Sequence, residues 1–76
     1  MMQRANDDKA WVLSKLRGKH VALGIPGGNV AVRTLKAVVV RVDDDTLILR
    51  AGDKERAVPL GAIRDIQEGN RMWGPW

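Results

Sequence analysis

LKAVVVRVDDDTLILR, residues 35–50, decides the fold of this chain. The valines at 38–40 and Val42 are β-branched and suit a pleated strand, and three in a row place apolar side chains on both faces of it. The aspartates at 43–45 interrupt the strand, because a buried carboxylate needs a partner or water and aspartate favours turns. Since the TLIL run at 46–49 resumes the apolar pattern, the stretch predicts a β-hairpin with an acidic turn.

The size and composition of the chain indicate one small domain with a thin core. It has 76 residues, three tryptophans as its only aromatic side chains, and no cysteine. A domain of this size buries only about 60% of its unfolded surface, and without cysteine neither a disulfide nor a thiolate–metal site can reinforce it. Small domains of this kind often gain stability by oligomerising, which favours self-association here.

The charge and hydropathy patterns place the chain outside the membrane proteins. Thirteen Lys and Arg against nine Asp and Glu give a net charge of +4, which fits either nucleic-acid binding or ordinary solubility. The apolar runs are far shorter than the roughly 20 residues of a membrane span, and the MMQRANDDK start lacks a hydrophobic signal core. We therefore expect a soluble, cytoplasmic protein with no membrane partner.

An N-terminal helix is expected over about 7–17. The NDD sequence at 6–8 supplies residues that cap helix N-termini, and Gly18 suits the position just beyond the C-terminus. Trp11 lies beside the apolar face, where it would contact the rim of the domain or a neighbouring subunit. The narrow apolar face itself consists of Val12, Leu13 and Leu16.

Five short strands are expected after the helix, the first over 19–25 and the second from Val30 through the valine run. The Pro-Gly-Gly-Asn sequence at 26–29 predicts the hairpin between them, and a parity change along the second strand requires a bulge near Arg33-Thr34. The later elements are strands at 46–50, 54–58 and 63–67, a 3₁₀ turn at 60–62, and a tail at 69–76 with no period.

Short connections between consecutive strands predict an antiparallel meander. A bent meander of five strands closes into a small SH3-like barrel. We therefore expect an all-β fold, a small five-stranded and strongly bent antiparallel barrel with an N-terminal α-helix. It would form a single domain over 1–76, with the helix at about 7–17, the barrel at about 19–68 and the tail at 69–76.

Three short motifs resemble the Sm-like family, which includes Sm, LSm and Hfq proteins. They are LRGKHV at 16–21, Val42-Asp43 followed by TLIL at 46–49, and Gly61-Ala62-Ile63 followed by Ile66. The resemblance implies a five-stranded Sm-like barrel that assembles as a homo-oligomeric ring, with a hexamer or heptamer expected. It also implies that the strand at 54–58 of one subunit pairs with the strand at 63–67 of the next.

The resemblance also assigns pore-loop positions. In family members that bind uridine-rich RNA, the first loop uses an Asp, a stacking side chain and often Asn, and the second adds a basic residue. This chain has no aromatic or Asn in its first loop and no cation in its second. Because carboxylates near a pore repel phosphate, we expect RNA to bind elsewhere. The pore-loop positions are Asp43, Asp44, Asp45, Leu60 and Gly61.

A basic cluster at the helix exit is the alternative nucleic-acid-binding surface. The resemblance implies that cations on the helix and outer rim contact the RNA backbone, weakly and without choice of sequence. The competing interpretation is a solvated cationic helix end stabilised by the helix dipole. The candidate nucleic-acid-binding residues are Lys9, Lys15, Arg17, Lys19 and His20.

Two tryptophans in the tail, Trp73 and Trp76, are typical of contact anchors. They would cover the barrel, dock on a neighbouring subunit or bind a foreign partner; with Trp11 they are the candidate oligomer or partner contacts.

No catalytic residue, metal site or cofactor is expected, since His20 has no nucleophilic partner and the acidic turn lacks EF-hand spacing. The chain is thus expected to be a ring-forming RNA-binding protein or, alternatively, a non-enzymatic oligomeric scaffold or protein-interaction module that has lost the RNA site.

Overall fold

The computed structural model of the protein describes residues 4–27 and 29–76. It contains one α-helix, one 3₁₀ turn and six β-strands within these residues, and the chain is therefore mainly β. In chain order the elements are α1 (Arg4–Lys15), β1 (His20–Gly27), β2 (Val30–Asp43), β3 (Thr46–Ala51), β4 (Lys54–Pro59), the 3₁₀ turn (Leu60–Ala62), β5 (Asp65–Glu68) and β6 (Arg71–Trp73).

Helix α1 begins and ends earlier than the sequence predicts. The helix spans Arg4–Lys15 rather than 7–17, so the acidic residues expected at its cap lie inside its first turns. There their negative charges interact favourably with the positive end of the helix dipole. Beyond Lys15 the Leu16 amide donates to the Leu13 carbonyl over 3.0 Å, a tighter bond that closes the last turn. Gly18 follows with a φ of +79°, which confirms the expected glycine after the helix.

The six strands form one open antiparallel sheet in the order β4-β3-β2-β1-β5-β6. β2 is the longest strand, with 14 residues, and it pairs with β1 through residues 30–38 and with β3 through residues 38–43. The meander from β1 to β4 follows the predicted order. The predicted hairpin connects Gly27 to Val30, although Gly28 within it lies outside the described residues.

The sixth strand, β6, lies in the tail, for which only a segment with no period was predicted and no strand. β6 pairs antiparallel with β5, with Glu68 opposite Arg71 and Ile66 opposite Trp73. Gly69, with a φ of +60°, and the next residue form a tight turn between them, as two-residue hairpins require. Because β6 occupies the outer edge of β5, the edge expected to face a neighbouring subunit is already paired within the chain.

Two bulges in β2 bend the sheet. One extra residue lies between Val30 and Arg33 opposite the step from Gly27 to Ile25, slightly before the position expected at Arg33-Thr34. A second extra residue lies between Val39 and Arg41, at a position where the sequence pattern predicts no bulge. This second bulge reverses the side-chain parity, so that Val39 is buried while Val42 also packs against the core.

The core lies between α1 and one face of the bent sheet. Leu13, Leu23, Leu47, Leu49 and Ile66 are fully buried in it, and they come from the helix and from three of the strands. The partly buried Trp73 and Trp76 pack against the same cluster. Among the described residues no helix has the length and apolar character needed to cross a membrane.

Candidate nucleic-acid interface

Lys9 is not part of an exposed basic surface, contrary to the expectation from the sequence. Only 4% of the residue is exposed, and its Nζ donates to the carbonyl oxygen of Leu60 over 2.8 Å. The Trp76 ring centroid lies 5.6 Å from the same Nζ. Burial lowers the pKa of Lys9 below its ordinary value of 10.5. Lys9 therefore joins the helix to the 3₁₀ turn and to the tail, away from solvent.

The other four candidate residues are exposed but lie in three different environments. Arg17 donates from Nε to the carbonyl oxygen of Val40 over 3.3 Å, so its guanidinium lies against the second bulge of β2. His20 opens β1 and faces the side of the sheet away from the core. Only Lys15 and Lys19 lie together, at a cleft between the helix and the last hairpin.

This helix–β6 cleft is the site at which cations and aromatic rings meet. It is a small depression of about 120 Å³ whose floor is formed by the buried Val12 and Leu16. Its walls are supplied by α1, the residue before β1, β5 and β6. The polar and aromatic residues that line the helix–β6 cleft are Trp11, Lys15, Lys19, Glu68, Arg71 and Trp73.

Each tryptophan of the cleft has a cation over its ring. On the helix, Lys15 follows Trp11 by one turn, and its Nζ lies 3.9 Å from the Trp11 ring centroid. On β6, Arg71 and Trp73 are two residues apart and so share a face of the strand, with the guanidinium carbon 4.9 Å from the ring centroid. Trp11 is 60% exposed, which leaves a large flat aromatic surface next to a positive charge.

The electrostatics of the cleft favour an anionic ligand but are tempered by one carboxylate. Lys15, Lys19 and Arg71 contribute three positive charges, whereas Glu68 contributes one negative charge. The Nζ of Lys19 lies 3.8 Å from Oε2 of Glu68, too far for a strong hydrogen bond, and an ion pair with a solvent-exposed lysine contributes little to stability. Lys19 can therefore exchange this partner for a phosphate at small cost.

The two tail tryptophans have separate roles. Trp73 packs on the core and also lines the cleft. Trp76 is held by its own chain, because its amide donates to the carbonyl oxygen of Arg64 over 2.8 Å and its ring packs on the core. Of the three placements expected for these residues, the described structure contains the first, in which they cover the chain's own core.

The expected pore-loop positions lie side by side. The Leu60 amide donates to the Asp45 carbonyl over 2.8 Å, which fastens the 3₁₀ turn to the acidic turn. Leu60 is buried and Gly61 exposed. The carboxylates of Asp43, Asp44 and Asp45 are exposed. Across the described residues there is no group of three or more acidic, histidine or cysteine side chains suited to a metal ion.

Glu68 and Arg71 are the two residues of the cleft that were not predicted from the sequence. Arg71 lies in the tail, where a three-residue strand is too short to produce a recognisable period. The sequence did contain a signal for this strand. The Gly69-Asn70 pair is a turn sequence after an apolar strand, and Trp73 follows it at a spacing that places its side chain on the core side of the sheet.

Neither a protein-family model, nor a curated protein, nor a solved structure matches this chain.

Proposed function

We propose that this chain is a small Sm-like protein that binds single-stranded RNA at the helix–β6 cleft. One observation carries the proposal: the exposed ring of Trp11 lies beside Lys15 Nζ, across a cleft lined by Arg71 and Trp73. Proteins that bind single strands combine such features, since bases stack on aromatic rings while cations attract phosphates. Of the basic residues proposed from the sequence, Lys15 and Lys19 thus remain in the site. Trp11, Arg71 and Trp73 join them.

The chemistry of the cleft favours binding with little choice of sequence. Every base has a flat face that can stack on Trp11, and stacking contributes about 1–3 kcal/mol per base. Lysine and arginine contacts with phosphate carry no sequence information. We therefore expect similar affinities for oligo(U) and oligo(A), both falling as the salt concentration rises.

Fluorescence anisotropy with labelled oligo(U) and oligo(A) at moderate salt tests the proposal. Replacing Trp11 by Ala removes the stacking surface and is expected to weaken binding about tenfold or more. Met72→Ala is the matched control, because Met72 is also 60% exposed but alternates with Arg71 and Trp73 along β6 and so faces away from the cleft. Failure of the wild-type chain to bind either oligonucleotide, or equal binding by both variants, would contradict the proposal.

The Sm-like barrel is the fold component of the proposal. A helix followed by five strands in the order β4-β3-β2-β1-β5, with a long and twice-bulged β2, supports it. The adjacent acidic turn and 3₁₀ turn, joined by the Leu60–Asp45 hydrogen bond, agree with the loop positions that the resemblance assigns. A cytoplasmic location, first suggested by the sequence, remains part of the same proposal.

A homo-oligomeric ring of six or seven subunits is the assembly component. Strand β4 forms one edge of the sheet, and unpaired edges are ready to accept another strand. Because β6 forms the opposite edge, the neighbour's β4 would meet β6, or would have to displace it from β5. Light scattering measures the native mass, and a strict monomer at micromolar concentration would contradict the proposed ring.

A non-enzymatic scaffold without an RNA site is the second candidate function. The exposed edge of β4 and the three exposed carboxylates of the acidic turn favour it, since neither feature attracts nucleic acid. An oligomer that ignores both oligonucleotides at moderate salt is the outcome that would select this candidate over the first.

A further inference from the structure

A second groove lies on the face of the sheet opposite the core. The register aligns His20, Val38 and Arg50 in one row across β1, β2 and β3. The neighbouring row consists of Gln67, Ala22 and Lys36 across β5, β1 and β2. Cross-strand neighbours lie about 5 Å apart, so three long polar side chains and a histidine surround a floor of small apolar residues. We name this surface the sheet-face groove.

The groove suits an anionic ligand. Its volume is about 640 Å³, which lies within the range of small-molecule sites. Lys36 and Arg50 line it, and none of its described lining residues is acidic. Arg50 is paired across the sheet with Glu55 on β4, whose Oε2 lies 3.8 Å from Arg50 Nη2 although Glu55 does not line the groove. Both cations are exposed, so either can turn toward a phosphate.

The groove and the helix–β6 cleft share a narrow ridge. Lys19 lines the cleft, and the next residue, His20, lines the groove. On β5 the same alternation holds, since Glu68 lines the cleft while Gln67 lines the groove. A single RNA strand that leaves the cleft at Lys19 therefore reaches the groove at His20, the next residue of the chain.

We propose that the sheet-face groove binds a second phosphate-bearing stretch of the same single RNA strand, on a path that runs from the helix–β6 cleft over Lys19 and His20. This inference rests on the proposed function. The phosphates contact Lys36 and Arg50, as lysine and arginine do in other phosphate sites. Thr34 and Gln67 offer hydrogen bonds to sugars or base edges, and the small Ala22 leaves room for a base above the floor.

Binding measurements with two lengths of oligo(U) test the path. An oligonucleotide of about four residues fills one site, whereas one of about twelve reaches both, within the range known for small single-strand-binding folds. The variant with Lys36→Gln and Arg50→Gln is compared with a control that has Lys54→Gln and Arg56→Gln. The control removes the same charge from exposed positions on β4, and circular dichroism checks that both variants fold.

The expected result is selective for the longer strand. The groove variant should bind the short oligonucleotide like the wild type but the long one about tenfold more weakly, with a salt dependence flatter by about 1.4 in log–log slope for two lost contacts. Equal behaviour of the groove variant and the control would overturn the inference while leaving the proposed function standing. Equal weakening of both lengths would also overturn it, because the strand would not be divided between two sites. If the wild type bound neither length, both proposals would fail.

Discussion

The ammonium group of Lys9 and the carbonyl oxygen of Leu60 lie 2.8 Å apart, with both residues buried. This bond fastens the helix to the 3₁₀ turn, 51 positions later in the chain. The Ile63 amide donates to the same carbonyl over 3.1 Å. Lys9, a member of the candidate nucleic-acid-binding set, thus has a structural role, in which the residue is buried and its charge meets a backbone carbonyl.

Replacing Lys9 by Ala should destabilise the fold. The change removes buried methylenes, each worth about 0.8 kcal/mol, and a hydrogen bond worth about 1 kcal/mol. We expect the free energy of unfolding to fall by about 2 kcal/mol in urea denaturation. Lys15→Ala is the control, because Lys15 is exposed and should change stability by less than about 0.5 kcal/mol. Equal effects of the two changes would contradict the structural role of Lys9.

The pH dependence of stability should carry the signature of Lys9. Burial lowers its pKa in the folded state below the ordinary value of 10.5, so the unfolded state binds more protons in the interval between the two. Stability from this group is therefore constant below the folded pKa and rises with pH toward 10.5,. Unfolding of wild type and Lys9→Met across alkaline pH checks this, and parallel curves would count against it.

Gly74 controls how the end of the chain docks. It has a φ of +104°, and a Cβ there would lie 2.8 Å from the carbonyl oxygen of Arg64, which also accepts the Trp76 amide. Gly74→Ala should therefore release Trp76 and cost about 1–3 kcal/mol, with a red shift in tryptophan fluorescence. Gly61→Ala is the control, because an added Cβ at Gly61 meets nothing within 4 Å. A Gly74→Ala fluorescence spectrum that is unshifted and identical to that of Gly61→Ala would refute the docking of Trp76.

The acidic turn contains a strained position. Asp44 has a φ of +56°, a left-handed conformation that costs most L-residues about 1–2 kcal/mol. Asp44→Gly should raise the melting temperature or leave it unchanged, because glycine adopts this conformation without strain. Asp45→Gly should lower the melting temperature, because glycine there relieves no strain and only increases the conformational entropy of the unfolded chain. Calorimetry on the two variants decides the matter, and the reverse order would show that the aspartate side chain, not the backbone, sets this turn.

The proposed function predicts that Glu68 weakens RNA binding. Its carboxylate lies in the helix–β6 cleft near Lys19, where it would compete with phosphate. Glu68→Gln removes the charge while keeping the shape, and we expect a several-fold gain in oligo(U) affinity at low salt that fades as salt screens the site. Asp44→Asn in the acidic turn is the control for net charge, because Asp44 is exposed and lines neither the cleft nor the groove. An equal gain in both variants would mean that the carboxylate acts only through the overall charge.

Local patterns in the sequence were sufficient to predict the helix and the first five strands, although several of their bounds differ by up to three residues. The valine run, the three aspartates and Gly52, which has a φ of +68°, each impose a conformation on their own residues, so neighbours suffice to predict them. Strand β6 was missed because three residues give no period, and its pairing depends on β5. The bulge between Val39 and Arg41 was missed because it depends on the register against β3.

The candidate site was predictable only in part. Lys15 and Lys19 were identified correctly as exposed cations, but the cleft was not, since it requires the helix to lie beside β6. Lys9 shows the limit of charge patterns, because the same residue type serves as a solvated cation or as a buried donor depending on what packs over it. Trp73 was recognised as an anchor, whereas its partner Arg71 depends on a strand that the sequence did not reveal.

The most direct test follows the indole N–H signals of the three tryptophans by NMR while oligo(U) is added to the full chain. Binding at the helix–β6 cleft predicts that the Trp11 and Trp73 signals shift together and saturably, while that of Trp76, packed beside Lys9 on the core, stays in place. A titration in which no indole moves, or in which only Trp76 moves, would contradict RNA binding at this cleft.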